Sequence, residues 1–535
     1  MGRSHNLKPK WPKPKWPKPP LLGVWLGLAV LFCVAAGLRF WGIGRFNTLV
    51  FDEIYYANFA AAFLRGEQEF GGHPPLSTYV IALGIWLGEW LGFGDATTRN
   101  TLTGLSLSTV SYRWINALIG AFFPVLVGAI ALQLTRRSTY ALLAAFLATL
   151  DGLFLVESRY ALNNIYLVLL GLVGWLCWLL ALNHLRPLPP LATAIDGAPV
   201  VPPQPWKLWL WLGLAGVGFG GAIAIKWNGA GFLLGAILLW AIAWAGRIVR
   251  HSLEIPPTGD SLTASPLAFL PKLHVGHLAV SLGFVPALTY WLSWLPYMAL
   301  DNAHSFWGWQ AQVLSYHQRV GGSDAHPYCS QWDSWPLMGR PIAYFYETVQ
   351  SGAPRPETLT ETPPSHLSTV IYDVHAIGNP LLWWLASIGS FALLWVLVMR
   401  VGAWLRAFQA RSGILEAKRP YRPWATVSLS RLPTGLENWT ILFLLVNWGA
   451  NWLPWAKVSR CTFLYHYMSA SVFALLAIAL WLEQGLHSPN IRYRQLSIAA
   501  LLLIGFAFLF WLPLFLGLPL SPEGILIRRW LPSWT

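Results

Sequence analysis

Two adjacent carboxylates, Asp52 and Glu53, occur in a chain in which only 11% of the residues are charged. They follow directly on the first long apolar run, at the point where a membrane helix would have ended. Carboxylates at such a boundary are candidate proton acceptors for a reaction. The alternatives are a solvated loop pair or an N-cap of a helix over residues 54–64. We expect the chemistry of this protein to lie in the segment that begins here.

Four cations lie at the ends of apolar runs or in the turns between them: Arg113, Lys226, Lys457 and Arg460. Arg159, in a short polar stretch, is a further candidate of the same kind. Lys226, Lys457 and Arg460 fall on the side of the membrane where the positive-inside rule disfavours them. The pattern indicates a binding site for an anionic group such as a lipid phosphate. Side chains that only reach up to the membrane interface are the alternative.

Polar and aromatic residues in two further stretches could contact a sugar or an acceptor. His73 begins the sequence His-Pro-Pro-Leu, and the block 326–337 contains His326, Trp332 and Trp335. Aromatic faces and imidazoles suit contacts with peptides and sugars. The alternative for this block is an aromatic loop that packs on the membrane surface. Both interpretations remain open at this point.

The histidines and cysteines do not predict a metal or redox centre. The loop histidines lack the regular spacing of metal ligands, and the four cysteines show neither a CxxC pair nor an evident disulfide framework. We therefore predict no metal and no cofactor. The histidines are His304, His317, His326, His366 and His375, and the cysteines are Cys33, Cys177, Cys329 and Cys461.

The composition determines which elements must position these residues. Of 535 residues, 55% are hydrophobic, and many apolar runs approach the 20 residues that cross a bilayer. Such runs predict an all-α polytopic membrane protein, because a helix satisfies its own backbone polar groups in lipid. We expect about eleven crossings. They are residues 21–41, 112–134, 140–156, 165–185, 208–225, 229–248, 277–297, 381–401, 440–453, 463–482 and 496–516.

The distribution of basic residues predicts the topology of these spans. The Lys/Pro-rich tail 1–20, the Arg136-Arg137 pair and the connector 406–431 should face the cytoplasm. Residues 44–111, including an apolar run at 76–93 along the interface, and the loop 298–376 then lie outside. We divide the chain into the basic tail 1–20, an N-terminal membrane module 21–300, an outer loop 301–376 and a C-terminal membrane module 377–535.

Several function classes are disfavoured. The net charge of +14 does not indicate nucleic acid binding, because the basic residues cluster beside membrane spans. No nucleotide-binding motif is present, so a sugar transferase of this build needs a donor already embedded in lipid. A transporter would require polar residues deep within several spans, whereas the candidates here lie at the outer ends.

The chain resembles the protein O-mannosyltransferases of the bacterial type, which have the GT-C fold. The similarity extends in register from about residue 20 to residue 517. It is carried by several motifs in one order: Phe51-Asp52-Glu53, His73-Pro74-Pro75-Leu76, Tyr112-Arg113, Lys226-Trp227, the block 326–337, Leu453-Pro454-Trp455 and Tyr465-His466-Tyr467.

The resemblance implies a reaction and a role for the acidic pair. It implies transfer of mannose from a polyprenyl-phosphate-mannose donor to Ser/Thr hydroxyls of proteins, with inversion, at the outer membrane face. Asp52 would be the catalytic base and Glu53 a second acidic position. The eukaryotic members carry an additional domain in the loop that corresponds to residues 298–376, and this loop is too short to hold one. An enzyme of the same build that acts on a glycolipid is the alternative.

Overall fold

The computed structural model describes residues 21–186, 205–252, 265–300, 304–322, 324–411 and 436–535. The predicted basic tail 1–20 and most of the basic connector 406–431 lie outside the described residues.

The described residues form eighteen α-helices, which account for most of their length. These are α1 (Leu21–Phe40), α2 (Glu53–Leu64), α3 (Leu76–Trp90), α4 (Thr109–Ala121), α5 (Phe123–Thr135), α6 (Ser138–Thr149), α7 (Gly152–Glu157), α8 (Asn164–Asn183), α9 (Pro205–Ile225), α10 (Ala230–Ser252), α11 (Val275–Leu278), α12 (Val285–Met298), α13 (Phe306–Arg319), α14 (Pro380–Arg411), α15 (Asn438–Trp452), α16 (Met468–Leu486), α17 (Ile491–Leu516) and α18 (Pro522–Leu526).

Nine helical segments of the described chain are long and apolar enough to cross a bilayer. They correspond to nine of the predicted spans, so the chain is a multi-pass membrane protein. The other two predicted spans, 140–156 and 440–453, contain the shorter helices α6, of 12 residues, and α15, of 15 residues. The first of these is interrupted at Asp151, whose carboxylate accepts a hydrogen bond from the backbone N–H of Phe154 at 3.1 Å and so begins α7.

Small residues allow the central helices to pack closely. Helix α8 packs against α4, α5 and α9. A Cβ atom on Gly218 of α9 would lie 2.6 Å from the backbone nitrogen of Gly174 of α8, so only glycine permits this separation. The outer helices instead present apolar side chains away from the bundle, such as Leu502 and Phe506 of α17. Such faces are expected where a bundle meets lipid.

The segments between the long helices hold the residues predicted to do chemistry. Helices α2 and α3 and a short antiparallel pair, β1 (Arg99–Asn100) and β2 (Leu107–Ser108), lie between α1 and α4. Helix α13 and an antiparallel hairpin, β3 (Ile342–Gln350) and β4 (Thr369–Ala376), lie between α12 and α14. The hairpin was not predicted, although its β-branched and aromatic residues are typical of strands.

Candidate active site

A cavity of about 540 Å³ lies at the start of α2, beneath α13 and beside the turn that precedes α16. Asp52 lines it together with most of the polar residues that sequence analysis selected. The polar residues of its wall are Asp52, Tyr55, Tyr56, His73, Lys226, Tyr316, His317, His326, Arg460, Tyr465 and His466. His317, His466 and the four tyrosines were not among the predicted site residues.

The two adjacent carboxylates point in different directions, as consecutive residues at the start of a helix do, and the residue before them, Phe51, has an unusual backbone conformation. This residue has a φ of +52°, in the left-handed region that non-glycine residues rarely adopt. Its ring stacks on Tyr344 of β3, with centroids 4.3 Å apart and an interplanar angle of 8°. Asp52 occupies the N-cap position of α2, but its side chain makes no capping hydrogen bond. The carboxylate of Asp52 therefore faces the cavity, and the N-cap alternative does not describe it.

The surroundings of Asp52 change its acidity. Burial raises the pKa of the carboxyl to about 6, while the positive charge of Lys226 and a hydrogen bond from Tyr465 act in the opposite direction. The Tyr465 hydroxyl lies 3.5 Å from Oδ2 of Asp52, so that hydrogen bond is long. A carboxylate with few hydrogen bonds and a raised pKa is suited to accept a proton near neutral pH.

Glu53 lies in the protein core rather than in the cavity, and its side chain is fully buried. Its two oxygens accept hydrogen bonds from Nε and Nη2 of Arg113 at 2.9 and 2.7 Å. They also accept the backbone N–H groups of Val50 and Ala161, each at 2.8 Å. Glu53 therefore orders the chain around Asp52, and the geometry gives it no contact with a substrate in the cavity.

Arg113 was predicted to bind the donor phosphate, and its position does not fit that role. Its side chain is fully buried. Besides Glu53, its remaining N–H groups donate to the carbonyl oxygens of Ile43, Phe46 and Thr48 at 2.7 to 3.0 Å. All five donors are used, so none remains for a phosphate.

Arg159 is likewise a structural residue. Its guanidinium donates to the carbonyl oxygens at the end of α1 and just beyond it, including those of Leu38 and Trp41 at 2.8 and 2.7 Å. These carbonyls have no partner within a helix, so a buried arginine satisfies them.

Lys226 lies in the cavity wall between α9 and α10. It is buried, and its Nζ donates to Oδ1 of Asn164 at 2.8 Å. The ammonium group also lies 5.1 Å from the ring centroid of Tyr465. Burial lowers the pKa of Lys226, whereas the carboxylates of Asp52 and Glu157 act to raise it.

Arg460 and Lys457 share one turn but have different surroundings. Arg460 lines the cavity, and its guanidinium makes one hydrogen bond to the described residues, from Nη1 to the carbonyl of Cys461 at 2.8 Å. Its other donors are free to bind an anion. Lys457 is exposed and lines a neighbouring cleft of about 350 Å³ with Trp332. Only Arg460 of this pair therefore reaches the cavity that contains Asp52.

The remaining predicted contacts are divided in the same way. His73 and His326 line the cavity, and the buried Nδ1 of His73 has no hydrogen-bond partner among the described residues. Trp332 lies in the neighbouring cleft. Trp335 is fully buried and donates its Nε1–H to Ser330 Oγ at 2.9 Å. Trp335 therefore packs within the protein and does not line the cavity.

A disulfide between Cys329 and Cys461 joins the segment after α13 to the turn that carries Arg460. Sequence analysis gave no indication of this pair, because the two cysteines are 132 residues apart. Backbone hydrogen bonds reinforce the link, with Ser330 N–H donating to Thr462 O at 2.7 Å and Cys461 N–H to Gly321 O at 2.8 Å. The disulfide thus holds two walls of the cavity together.

A second cavity, of about 570 Å³, adjoins the first and is lined mainly by apolar residues such as Trp227, Leu234, Leu314 and Pro454. The two cavities have five lining residues in common: His73, Lys226, His317, Arg460 and His466. The two shared cations, Lys226 and Arg460, thus lie where a polar cavity meets an apolar one. This arrangement suits a ligand with an anionic group between a polar part and an apolar chain.

Comparisons with known proteins agree with this geometry. Residues 29–297 match the family model described as dolichyl-phosphate-mannose-protein mannosyltransferase, and residues 302–534 match that of the C-terminal four-helix transmembrane region of protein-O-mannosyltransferase. The polyprenol-phosphate-mannose–protein mannosyltransferase of Mycolicibacterium smegmatis is 24% identical over 95% of this chain and 93% of its own. The enzyme of the same name from Mycobacterium tuberculosis is 23% identical over 95% and 92%.

The fold is also found among solved structures. The Saccharomyces cerevisiae protein O-mannosyltransferase Pmt1–Pmt2 complex, bound to its sugar donor, contains a chain that superposes with a TM-score of 0.63 at 14% identity. The superposition covers 96% of this chain and 93% of that one. The order of the motifs, the matches to both family models and this shared architecture lead to one conclusion: the chain belongs to the protein O-mannosyltransferase family.

Proposed function

We propose that this protein transfers mannose from a polyprenyl-phosphate-mannose donor to Ser or Thr hydroxyls of proteins, with Asp52 as the general base. The observation that carries the proposal is the junction of the two cavities at Lys226 and Arg460, with Asp52 on the polar side. The polyprenyl chain fits the apolar cavity, and the mannose and acceptor fit the polar one. The names of the bacterial relatives support the same donor and acceptor class.

The proton of the acceptor moves to Asp52 in this mechanism. A Ser or Thr hydroxyl is a weak nucleophile until a base takes its proton as the new bond forms. The hydroxyl oxygen attacks the anomeric carbon of mannose, and the bond from that carbon to the phosphate oxygen breaks. Since attack and departure occur on opposite faces, a β-linked donor gives an α-mannoside.

The leaving group needs a positive environment rather than an acid. The bond electrons depart with the polyprenyl phosphate, which is stable as an anion, so no protonation of the departing oxygen is required. Lys226 and Arg460 stabilise the growing charge, Lys226 more strongly per contact because it is buried while Arg460 is half-buried. Lys457 and Arg113 have no part in this scheme, since neither lines the junction.

We also propose the membrane orientation predicted from the sequence. The cavity with Asp52 faces the outside, together with α2, α3, α13 and the β3–β4 hairpin, while Arg136 and the connector 406–431 face the cytoplasm. A cysteine introduced at residue 416 should remain unlabelled when an impermeant thiol reagent is added to intact cells. Labelling at this position would contradict the proposed orientation. We propose in addition that the chain consists of two membrane modules, 21–300 and 377–535, separated by the outer loop 301–376.

The experiment that tests the activity uses the purified protein with a synthetic polyprenyl-phosphate-mannose and a Ser/Thr-containing peptide. We expect one added hexose on the peptide by mass spectrometry and none on a matched peptide in which Ala replaces each Ser and Thr. In membranes, label from the donor should enter protein. Label that enters only lipid would favour a glycolipid acceptor instead.

A further inference from the structure

A buried carboxylate outside the cavity is connected to Lys226 by hydrogen bonds. Glu157, the last residue of α7, has no exposed surface. Its Oε2 accepts a hydrogen bond from Nδ2 of Asn164 at 3.0 Å, and its Oε1 accepts one from the hydroxyl of Tyr344 on β3. Asn164 in turn accepts the Lys226 ammonium at 2.8 Å. These four residues form one continuous chain of contacts from the hairpin to the cavity wall.

The directions of the two hydrogen bonds made by Asn164 are fixed by chemistry. A lysine ammonium can only donate, so Asn164 must present its carbonyl oxygen to Lys226. The amide nitrogen of Asn164 then faces Glu157 and donates to it, which removes the usual ambiguity of an amide flip. Oε2 of Glu157 therefore acts as an acceptor, and the Tyr344 hydroxyl contacts the other oxygen.

The charges along the chain favour a role in holding Lys226 ready for an anion. Burial penalises the positive charge of Lys226, and the nearby Arg460 opposes it further. Glu157 and Asp52 are the carboxylates that offset this penalty. Asp52 is the proposed base, so its charge is lost whenever it holds the acceptor proton. Glu157 lines neither of the two cavities, so it is out of reach of the acceptor proton.

We infer that Glu157 is a positioning residue for donor binding: through Asn164, it holds Lys226 at the cavity junction and balances its charge. The inference rests on the proposed function, because it takes Lys226 to contact the donor phosphate. It differs from the proposal for Asp52, since Glu157 acts on binding of the lipid phosphate and not on proton transfer.

The test compares Glu157→Gln with wild-type protein. Glutamine keeps the shape, accepts from Asn164 and can donate to Tyr344, whose hydroxyl then accepts, so the charge is removed and the contacts are retained. We expect the donor KM and the dissociation constant for a polyprenyl phosphate to rise roughly 3- to 30-fold, the scale of indirect coupling. The kcat and the acceptor KM should change less than about threefold. Glu483→Gln is a matched control, because Glu483 is also buried and ion-paired but lies far along α16.

Two further variants separate this role from a structural one. In a Lys226→Met background, Glu157→Gln should have no additional effect on lipid-phosphate affinity. Adding Asn164→Asp to Glu157→Gln returns a carboxylate to Lys226 and should restore the affinity. Tyr344→Phe, which removes one hydroxyl, should weaken affinity in the same direction even if Glu157→Gln does not fold.

Two results would overturn the inference. One is that Glu157→Gln lowers the affinity for polyprenyl phosphate equally in the wild-type and the Lys226→Met backgrounds. The other is that neither Glu157→Gln nor Tyr344→Phe changes this affinity. Binding of polyprenyl phosphate needs no mannose transfer. A wild-type protein that binds this lipid but does not mannosylate the peptide would therefore contradict the proposed function and leave the inference on Glu157 to be decided by binding alone.

Discussion

Glu53 and Arg113 form a two-point ion pair in which both side chains are fully buried, with contacts of 2.9 and 2.7 Å. The pair joins the start of α2 to α4 and also holds the backbone of residues 43–48 through the other donors of Arg113. It lies directly behind Asp52 and fixes the turn that directs this carboxylate into the cavity.

Breaking this pair should unfold the region rather than impair a substrate contact. Arg113→Leu leaves an unpaired buried carboxylate, so the free energy of unfolding should fall by about 3–5 kcal/mol. Thermal unfolding of purified protein measures this loss. Glu67→Gln is a control that removes the exposed Arg65–Glu67 pair and should change stability by less than about 1 kcal/mol. A stable Arg113→Leu protein in which only the donor KM is raised would show instead that Arg113 contacts the donor phosphate.

Two cations on one turn should behave differently towards the donor. Arg460→Gln removes a cation at the junction of the two cavities and should weaken donor binding by about 1.5–3 kcal/mol, the range for hydrogen bonds to charged groups. Lys457→Gln removes the same charge three residues away and should leave donor KM unchanged. Titration of donor at saturating acceptor gives both values. A larger effect at Lys457 would move the phosphate site to the neighbouring cleft.

The Cys329–Cys461 disulfide should stabilise the fold and keep the cavity walls in place. Cys329→Ser is expected to lower the free energy of unfolding by about 2–4 kcal/mol, because the bond closes a long loop. Cys33→Ser, at a free and exposed thiol, is the control. The melting temperature measured with and without reductant should fall on reduction in wild type and in Cys33→Ser only. An equal fall in Cys329→Ser on reduction would show that the effect has another source.

Activity should depend on pH through Asp52. Burial raises the pKa of this carboxyl to about 6, and a base must be deprotonated to act. The rate is therefore highest above pH 6, and kcat/KM should fall about tenfold per pH unit below it. The bound anionic donor adds a negative charge beside Asp52, which raises the pKa of this carboxyl in the complex. The acidic fall of the kcat profile should therefore lie at higher pH than that of the kcat/KM profile. A kcat/KM that stays level down to about pH 4.5 would argue against a base with this environment.

The membrane class, the nine long spans and five residues of the cavity wall could be predicted from the sequence, because apolar runs and isolated polar residues are local signals. The different roles of Asp52 and Glu53 could not be predicted from the sequence. They depend on partners that are distant in sequence, because Glu53 is held by Arg113 and by the backbone N–H of Ala161 while Asp52 lines the cavity. Arg113 has the charge of a phosphate ligand, and only the fold shows that its donors are already used.

Other contacts were missed for similar reasons. Cys329 and Cys461 come together only through the packing of the outer segments. His317 lies on α13 and no motif surrounds it, so the sequence does not single it out. Tyr465 could have been predicted, because it belongs to the motif Tyr465-His466-Tyr467 that carries the family resemblance. The sequence did contain a signal for Glu157. An acidic residue beside an apolar run is energetically costly in a membrane, so its presence indicates a structural or functional role. The β3–β4 hairpin also had the composition of strands.

The central claim is that Asp52 takes the proton of the acceptor, and mannose transfer by Asp52→Asn tests it most directly. The substitution keeps the size of the side chain and removes the base. Transfer from polyprenyl-phosphate-mannose to a Ser/Thr peptide should fall roughly 10²- to 10⁴-fold, while affinity for polyprenyl phosphate stays within about threefold of wild type. Near-normal transfer by folded Asp52→Asn, with transfer abolished in an equally folded Glu53→Gln, would contradict the account and assign the base to Glu53.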